Sequence, residues 1–211
     1  MIARDYMPDI DSTLCEVCRK CERICPSAAI AFVKDSKEMI VDQKRCIDCQ
    51  RCMDACPYNA ITMQPRTEDY ALSINVAELD QDEIKAICRK IGLMPGEAVC
   101  ACTFITAQEL AGAILKGAKS PEDICAMTGI RRGCGIYCLV NIFKILDAAG
   151  IQPQERAKSN LYHHPLSSLD IPEHQLVKID AEFPQYHLLE DVSMIRKFRE
   201  IKSDREQNGN V

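Results

Sequence analysis

Apolar residues in the first third of the chain come in short runs, and four of these predict β segments: Met7–Ile10, Ile30–Val33, Met39–Val41 and Ile61–Met63. Asp35-Ser36-Lys37 predicts the turn between the second and the third. Cysteine-rich stretches separate the runs and end at Cys25-Pro26 and Cys56-Pro57, with helical turns expected after each Cys-Pro. Gln64 to Leu79, with Pro65, mixed charge and little periodicity, reads as a linker. Beyond it the spacing becomes helical. A helix is expected from Asp80, where Glu83 completes a capping-box-like pattern, to Gly92. Another runs from Thr106, with Glu109, to Gly117, and a third from Ser120-Pro121 to Thr128-Gly129. A last one in this group runs from about Ile136 to Ala149 and stops at Gly150. Then Pro153, Pro165, Pro172 and Pro184 punctuate an extended arm. Leu188, Val192, Ile195, Phe198 and Ile201 come next at helical intervals, and Ser203 to Val211 reads as a frayed polar tail. The fold class is α+β.

Composition narrows the picture. A chain of 211 residues with 47% hydrophobic content is an ordinary globular protein with room for one or two modest domains. It has no apolar run of about 18 residues, the length a membrane helix needs, so no transmembrane segment is expected. Met1 to Asp11 carries Arg4, Asp5 and Asp9 where a secretion signal would be apolar, which points to a cytoplasmic protein. A net charge of −5 makes nucleic acid a poor partner. Fourteen cysteines without a secretion signal point to metal rather than to disulfides.

Their spacing carries the chemistry. One pattern, C-x2-C-x2-C-x3-C-P, occurs at Cys15, Cys18, Cys21 and Cys25 and again at Cys46, Cys49, Cys52 and Cys56, each position recurring 31 residues later. The flanks repeat as well, Asp11 with Asp42 and Ala29-Ile30 with Ala60-Ile61. Three close thiols wrap three corners of an iron-sulfur cube, and the fourth ligand must come from elsewhere. The alternatives are zinc, which favours separated C-x2-C pairs, and disulfides, which need an oxidising compartment. The stretch closely resembles the bacterial two-cluster ferredoxins. That resemblance implies crossed ligation, with Cys15, Cys18, Cys21 and Cys56 on one 4Fe-4S cluster and Cys46, Cys49, Cys52 and Cys25 on the other. So small a unit would be held together by its clusters, and loss of iron should unfold it.

A second cysteine pattern lies farther along. Cys100 and Cys102 form a C-x-C pair, and Cys134 and Cys138 close a segment that contains a helix-turn-helix hairpin. C-A-C-T-F-I-T at Cys100, S-P-E-D-I at Ser120 and T-G-I-R-R-G-C-G-I-Y-C ending at Cys138 resemble the 2Fe-2S domain of bacterioferritin-associated ferredoxin over roughly Ala98 to Leu146. Three residues separate Cys134 from Cys138, where the founding type of that family has two. The resemblance implies one 2Fe-2S cluster on Cys100, Cys102, Cys134 and Cys138, near a helix start whose N–H groups favour an anionic group. A zinc site on the same four thiols is the alternative. Cys88 and Cys125 are read as packing thiols, and His163-His164 as a surface pair.

The expected organisation is a two-cluster 4Fe-4S domain at 1–64, a linker and helix at 65–94, a small all-α 2Fe-2S domain at 95–150, and a C-terminal arm with an amphipathic helix at 151–211. No phosphate-cradling glycine loop or nucleophile motif is present, so the chain reads as a non-catalytic electron-transfer subunit with no catalytic residue. The resemblances imply a larger, flavin-containing redox subunit as partner, in a hetero-oligomer. Other readings are a free ferredoxin, a metallochaperone, a redox sensor, or an enzyme in its own right. The apolar stripe of the last helix, with Leu188, Ile195 and Phe198 as anchors, would pack either in a partner's groove or on this chain's own domains.

Overall fold

The computed structural model describes residues 2–154, 156, 169 and 171–207, and the chain divides into two compact units, Met1–Tyr162 and His163–Val211. The first unit opens with two antiparallel ribbons. Strand β1 (Ile2–Ile10) pairs with β4 (Ile61–Leu72), and β2 (Ile30–Val33) pairs with β3 (Glu38–Val41) across the expected turn. Short helices α1 (Lys20–Ile24) and α2 (Arg51–Asp54) stand between the ribbons. They lie before each Cys-Pro and carry the third thiol, rather than after it as expected. Each Cys-Pro leads instead into a left-handed turn, at Ala28 (φ 51°) and Asn59 (φ 52°), that sends the chain into β2 and β4.

The 31-residue offset recurs in the backbone. Left-handed φ values fall at Val17 and Asp48, at Arg19 and Gln50, and at Ala28 and Asn59. The hydrogen bonds cross between the halves: Asp11 N–H donates to Ala60 O at 2.9 Å, and Asp42 N–H to Ala29 O at 2.7 Å.

Residues 64–72, expected as part of a linker, form the second half of β4. In its sheet β4 pairs with β1 alone, and the sequence of its second half shows no regular alternation of apolar and polar residues. Pro65 sits opposite Tyr6 at the irregularity in β1 between Arg4 and Tyr6, where a missing N–H disturbs little.

Four helices build the rest of the first unit: α3 (Gln81–Lys90), α4 (Ala107–Leu115), α5 (Pro121–Thr128) and α6 (Leu139–Ala148). Their caps agree with the sequence. Asp80 accepts from the N–H groups of Asp82 and Glu83 at 2.9 and 3.0 Å, Ser120 accepts from Asp123 N–H at 3.1 Å, and Gly129 ends α5 in the left-handed region. Helix α3, grouped by sequence with the linker, packs on α4 and α6. Its Ile84, Ile87 and Cys88 share one apolar core with Leu110, Ile124, Cys125, Ile142, Ile145 and Leu146. Cys88 and Cys125 are fully buried there, as packing thiols should be.

In the second unit the arm is more helical than expected. Helix α7 (Glu173–Glu182) precedes a 3-10 turn at Pro184–Tyr186 and the last helix, α8 (Leu188–Gln207). The two helices pack on each other, and Asp180 of α7 accepts from Leu189 N–H at 3.1 Å, capping α8. Leu176 and Val192 are buried, while Met194, Ile195 and Phe198 are exposed. His163-His164 and the end of the tail at 208–211 lie outside the described residues. No helix among the described residues is long and apolar enough to cross a membrane.

Candidate metal centres

The strand-loop-helix layout gathers the first eight thiols into two sets. One open space of about 320 Å³ is walled by Cys15, Cys18, Cys21 and Cys56, three thiols of the first run and the fourth of the second. Cys25 has left its own run: its charge is felt at Cys46, Cys49 and Cys52 alike, while Cys21 feels Cys15 and Cys18. Cys25 follows directly on the end of α1 as its C-cap. Among the described residues no three His, Cys, Asp or Glu side chains converge on a point that suits a single ion.

Thiols form much of this small core. Cys21, Cys25, Cys46 and Cys52 are buried beside Ala29, Ile30, Met39 and Ile61. Burial pushes Cys21 up to about 11 and Cys52 up to about 12, the neighbouring thiols adding to the effect. A cationic centre that held these sulfurs as thiolates would offset that cost. Backbone N–H groups already point at the sulfurs, Ala29 N–H toward Cys25 at 3.2 Å and the N–H groups of Asp48, Arg51 and Met53 toward Cys46, Cys49 and Cys52.

The other four thiols come from two loops of the helical part. A tight hairpin, closed by Val99 N–H to Ile105 O at 2.8 Å and Phe104 N–H to Cys100 O at 2.8 Å, presents Cys100 and Cys102. The loop between α5 and α6 presents Cys134, and Cys138 is the N-cap of α6. Cys134 N–H lies 3.5 Å from the Cys102 sulfur, and Cys138 feels Cys100, so the loops meet as two thiol pairs. One pair is exposed and the other buried. N–H groups of Ile136 and Tyr137 hold Cys134 down at about 7, whereas burial drives Cys138 up to about 12. At Cys100 burial is outweighed by the Thr103 hydroxyl and by the N–H groups of Thr103, Cys102 and Arg131, which lower it. Gly133 is required here, since a Cβ would run into the Cys102 side chain. Phe104, Ile136 and Tyr137 stand exposed at the same two loops.

Sequence reasoning missed the arginines around the second run. Arg4 donates to Lys44 O and Cys46 O at 2.8 Å, and Arg66 to Cys46 O at 3.1 Å. Arg45 reaches Asp123 at 3.0 Å and Ser27 O at 2.8 Å. Arg156 donates to Cys25 O at 3.1 Å and pairs with Glu122 at 3.6 Å. Asp48, with its carboxylate buried, accepts from Asp5 and Tyr6 N–H and from Arg132. A signal for Arg45 and for Asp48 lay in the imperfections of the repeat, where Leu14 answers to Arg45 and Val17 to Asp48.

Comparison with known families matches this division. Residues 14–60 match the model of the 4Fe-4S dicluster domain, and residues 98–148 that of the BFD-like [2Fe-2S] binding domain. The chain is thus similar to iron-sulfur domains of these two kinds over two separate stretches. No curated protein and no solved structure matches it.

Proposed function

We propose that the protein is the iron-sulfur electron-transfer subunit of an oxidoreductase complex, carrying two 4Fe-4S clusters and one 2Fe-2S cluster. Cys15, Cys18, Cys21 and Cys56 hold the first, Cys46, Cys49, Cys52 and Cys25 the second, and Cys100, Cys102, Cys134 and Cys138 the third. The observation that carries this reading is the sorting of the first eight thiols into two crossed sets, one of them walling its own cavity. When bound, clusters of these types each take up or release one electron. The chain's own residues tune them: N–H groups aimed at the sulfurs and nearby guanidinium groups stabilise the more negative, reduced form, and burial opposes it.

The partner is a larger, flavin-containing subunit whose two-electron chemistry is divided into single-electron steps by this chain. Exposed Cys102 and Cys134, with Phe104, Ile136 and Tyr137 around them, suit a contact through which electrons leave or enter. Residues 163–211 serve as the docking element, with Ile195 and Phe198 exposed on α8.

Protein purified without oxygen should carry about ten irons per chain, eight in the two cubes and two in the third cluster. Stoichiometric zinc with about eight irons would remove the 2Fe-2S assignment. Cys25→Ser should disturb the cluster of Cys46, Cys49 and Cys52 and leave that of Cys15, Cys18 and Cys21. A disturbance confined to the Cys15, Cys18 and Cys21 cluster would show that the ligation is not crossed.

A further inference from the structure

The two cubes are interchangeable by motif, yet the fold treats their loops differently. Four arginine bridges join the helical part and the segment after it to the ligand loops, and each reaches the second set of thiols or a residue beside it. Arg132 grips Asp48, between Cys46 and Cys49, at two points: its Nε donates to the Asp48 carbonyl at 3.0 Å and its terminal nitrogen to the carboxylate at 2.8 Å. Arg51, between Cys49 and Cys52, donates back to Gly133 O at 2.6 Å. Arg132 and Gly133 immediately precede Cys134, so the two bridges join the Cys46–Cys52 loop to the loop that carries half of the third site. Gly135 is held close against Arg51 as well, since a Cβ there would collide with the guanidinium. Farther out, Arg45 ties the same run to Asp123 of α5, and Arg156 ties Cys25 O to Glu122 while also donating to the Glu22 and Arg23 carbonyls.

Among the described residues, the loop of Cys15, Cys18 and Cys21 has no bridge to the loops that carry Cys100, Cys102 and Cys134; Arg156, which reaches Glu22 O beside Cys21, ends on Glu122 of α5. Its cationic neighbour Arg19 is turned to Glu22 of its own half at 2.6 Å. The cavity walled by Cys15, Cys18, Cys21 and Cys56 is bounded only by residues of the two ribbons and their loops.

From this asymmetry we infer an order: the cluster of Cys46, Cys49, Cys52 and Cys25 is the inner one, seated against the 2Fe-2S loop by the reciprocal bridges Arg132–Asp48 and Arg51–Gly133, and the cluster of Cys15, Cys18, Cys21 and Cys56 is the outer one. Arg132 and Arg51 are positioning residues. In each hop one centre loses the single electron that its neighbour gains, and no bond is made or broken. With the clusters bound, electrons would pass between the 2Fe-2S site and the inner site, and the outer site would reach the 2Fe-2S site through the inner one. This inference rests on the three-cluster reading above.

The test is magnetic and uses the full chain, purified anaerobically and reduced with dithionite. A reduced cube speeds the spin relaxation of a reduced 2Fe-2S cluster only from close by. Cys49→Ala should abolish the enhancement, and Cys18→Ala should leave it. The reverse pattern, or equal loss in both, would overturn the order. Should Cys49→Ala fail to fold, the double variant Arg51→Gln/Arg132→Gln, which keeps all twelve ligand thiols, decides between the two outcomes. Its enhancement should weaken at unchanged iron and sulfide content, and unchanged relaxation would overturn the positioning role. Zinc in place of the 2Fe-2S cluster in the unaltered protein would instead bring down the three-cluster reading. A full complement of iron with the wrong relaxation pattern brings down the order alone.

Discussion

A glycine inside a helix ordinarily costs about 0.5–1 kcal/mol relative to alanine. At Gly112 of α4 that gain is out of reach. A Cβ there would lie 2.6 Å from Ile74 Cγ2 and 3.0 Å from Leu79 Cδ1, and Ile74 is itself buried. Overpacking of this kind costs about 1–3 kcal/mol. Gly112→Ala should therefore lower stability by about 1 kcal/mol, read as an earlier midpoint in urea, and a later midpoint would mean that Ile74 moves freely. Contacts between distant residues also mark the limit of what sequence reveals about single side chains. The proposed 4Fe-4S ligands were suggested by the sequence because three of each run of four lie within seven residues of one another, so local spacing carries the signal. Arg132 and Asp48 are 84 residues apart, Arg51 and Gly133 are 82 apart, and nothing local in the chain marks either pair. The crossed fourth ligand proposed for each cube came only from the family resemblance, since nothing in the spacing of one run points to the other.

Among the elements, those with explicit caps were legible in the sequence and those held by a neighbour were not. Thr106 and Glu109 form the reciprocal box expected from sequence, the Glu109 carboxylate accepting from Thr106 N–H at 2.8 Å and from its hydroxyl at 2.7 Å. Glu109→Ala should cost about 1 kcal/mol, with Glu109→Gln restoring most of it. Equal losses in the two variants would mean that the carboxylate's charge matters rather than its reach. Strand β4 escapes a sequence reading because its second half pairs with β1 alone and carries Pro65, so hydrophobic alternation has nothing to record. Helix α7 escapes it for a related reason. Only Leu176 of its ten residues is buried, and an apolar face of one residue leaves no period to find.

The first unit joins two kinds of core, one built around thiols and a larger one mainly of Ile, Leu and Ala in which Cys100 and Cys138 take part at one end. Removing iron with a chelator should therefore strip amide protection from β1–β4 while α3, α4 and α6 keep theirs. Uniform loss across both would mean that the helical core depends on its own cluster. The docking proposed above is placed on the second unit, His163–Val211. The end of the proline-rich arm nearest the helical core is not part of it: Arg156 donates to the Glu22, Arg23 and Cys25 carbonyls and pairs with Glu122, so a cut at residue 152 would damage the cluster-bearing unit as well. A deletion of 163–211 respects that boundary. Helix α8 leaves Met194, Ile195 and Phe198 exposed, and large apolar side chains gathered on one helix are what a groove in a partner subunit would take. The truncated chain should keep all three cluster signals and its iron content and no longer copurify with the flavin-containing subunit. If it retains that partner, docking lies elsewhere, with the Phe104, Ile136 and Tyr137 surface as the next place to substitute. If it loses the 2Fe-2S signal or aggregates, the second unit is a structural cover for this chain and has no docking role.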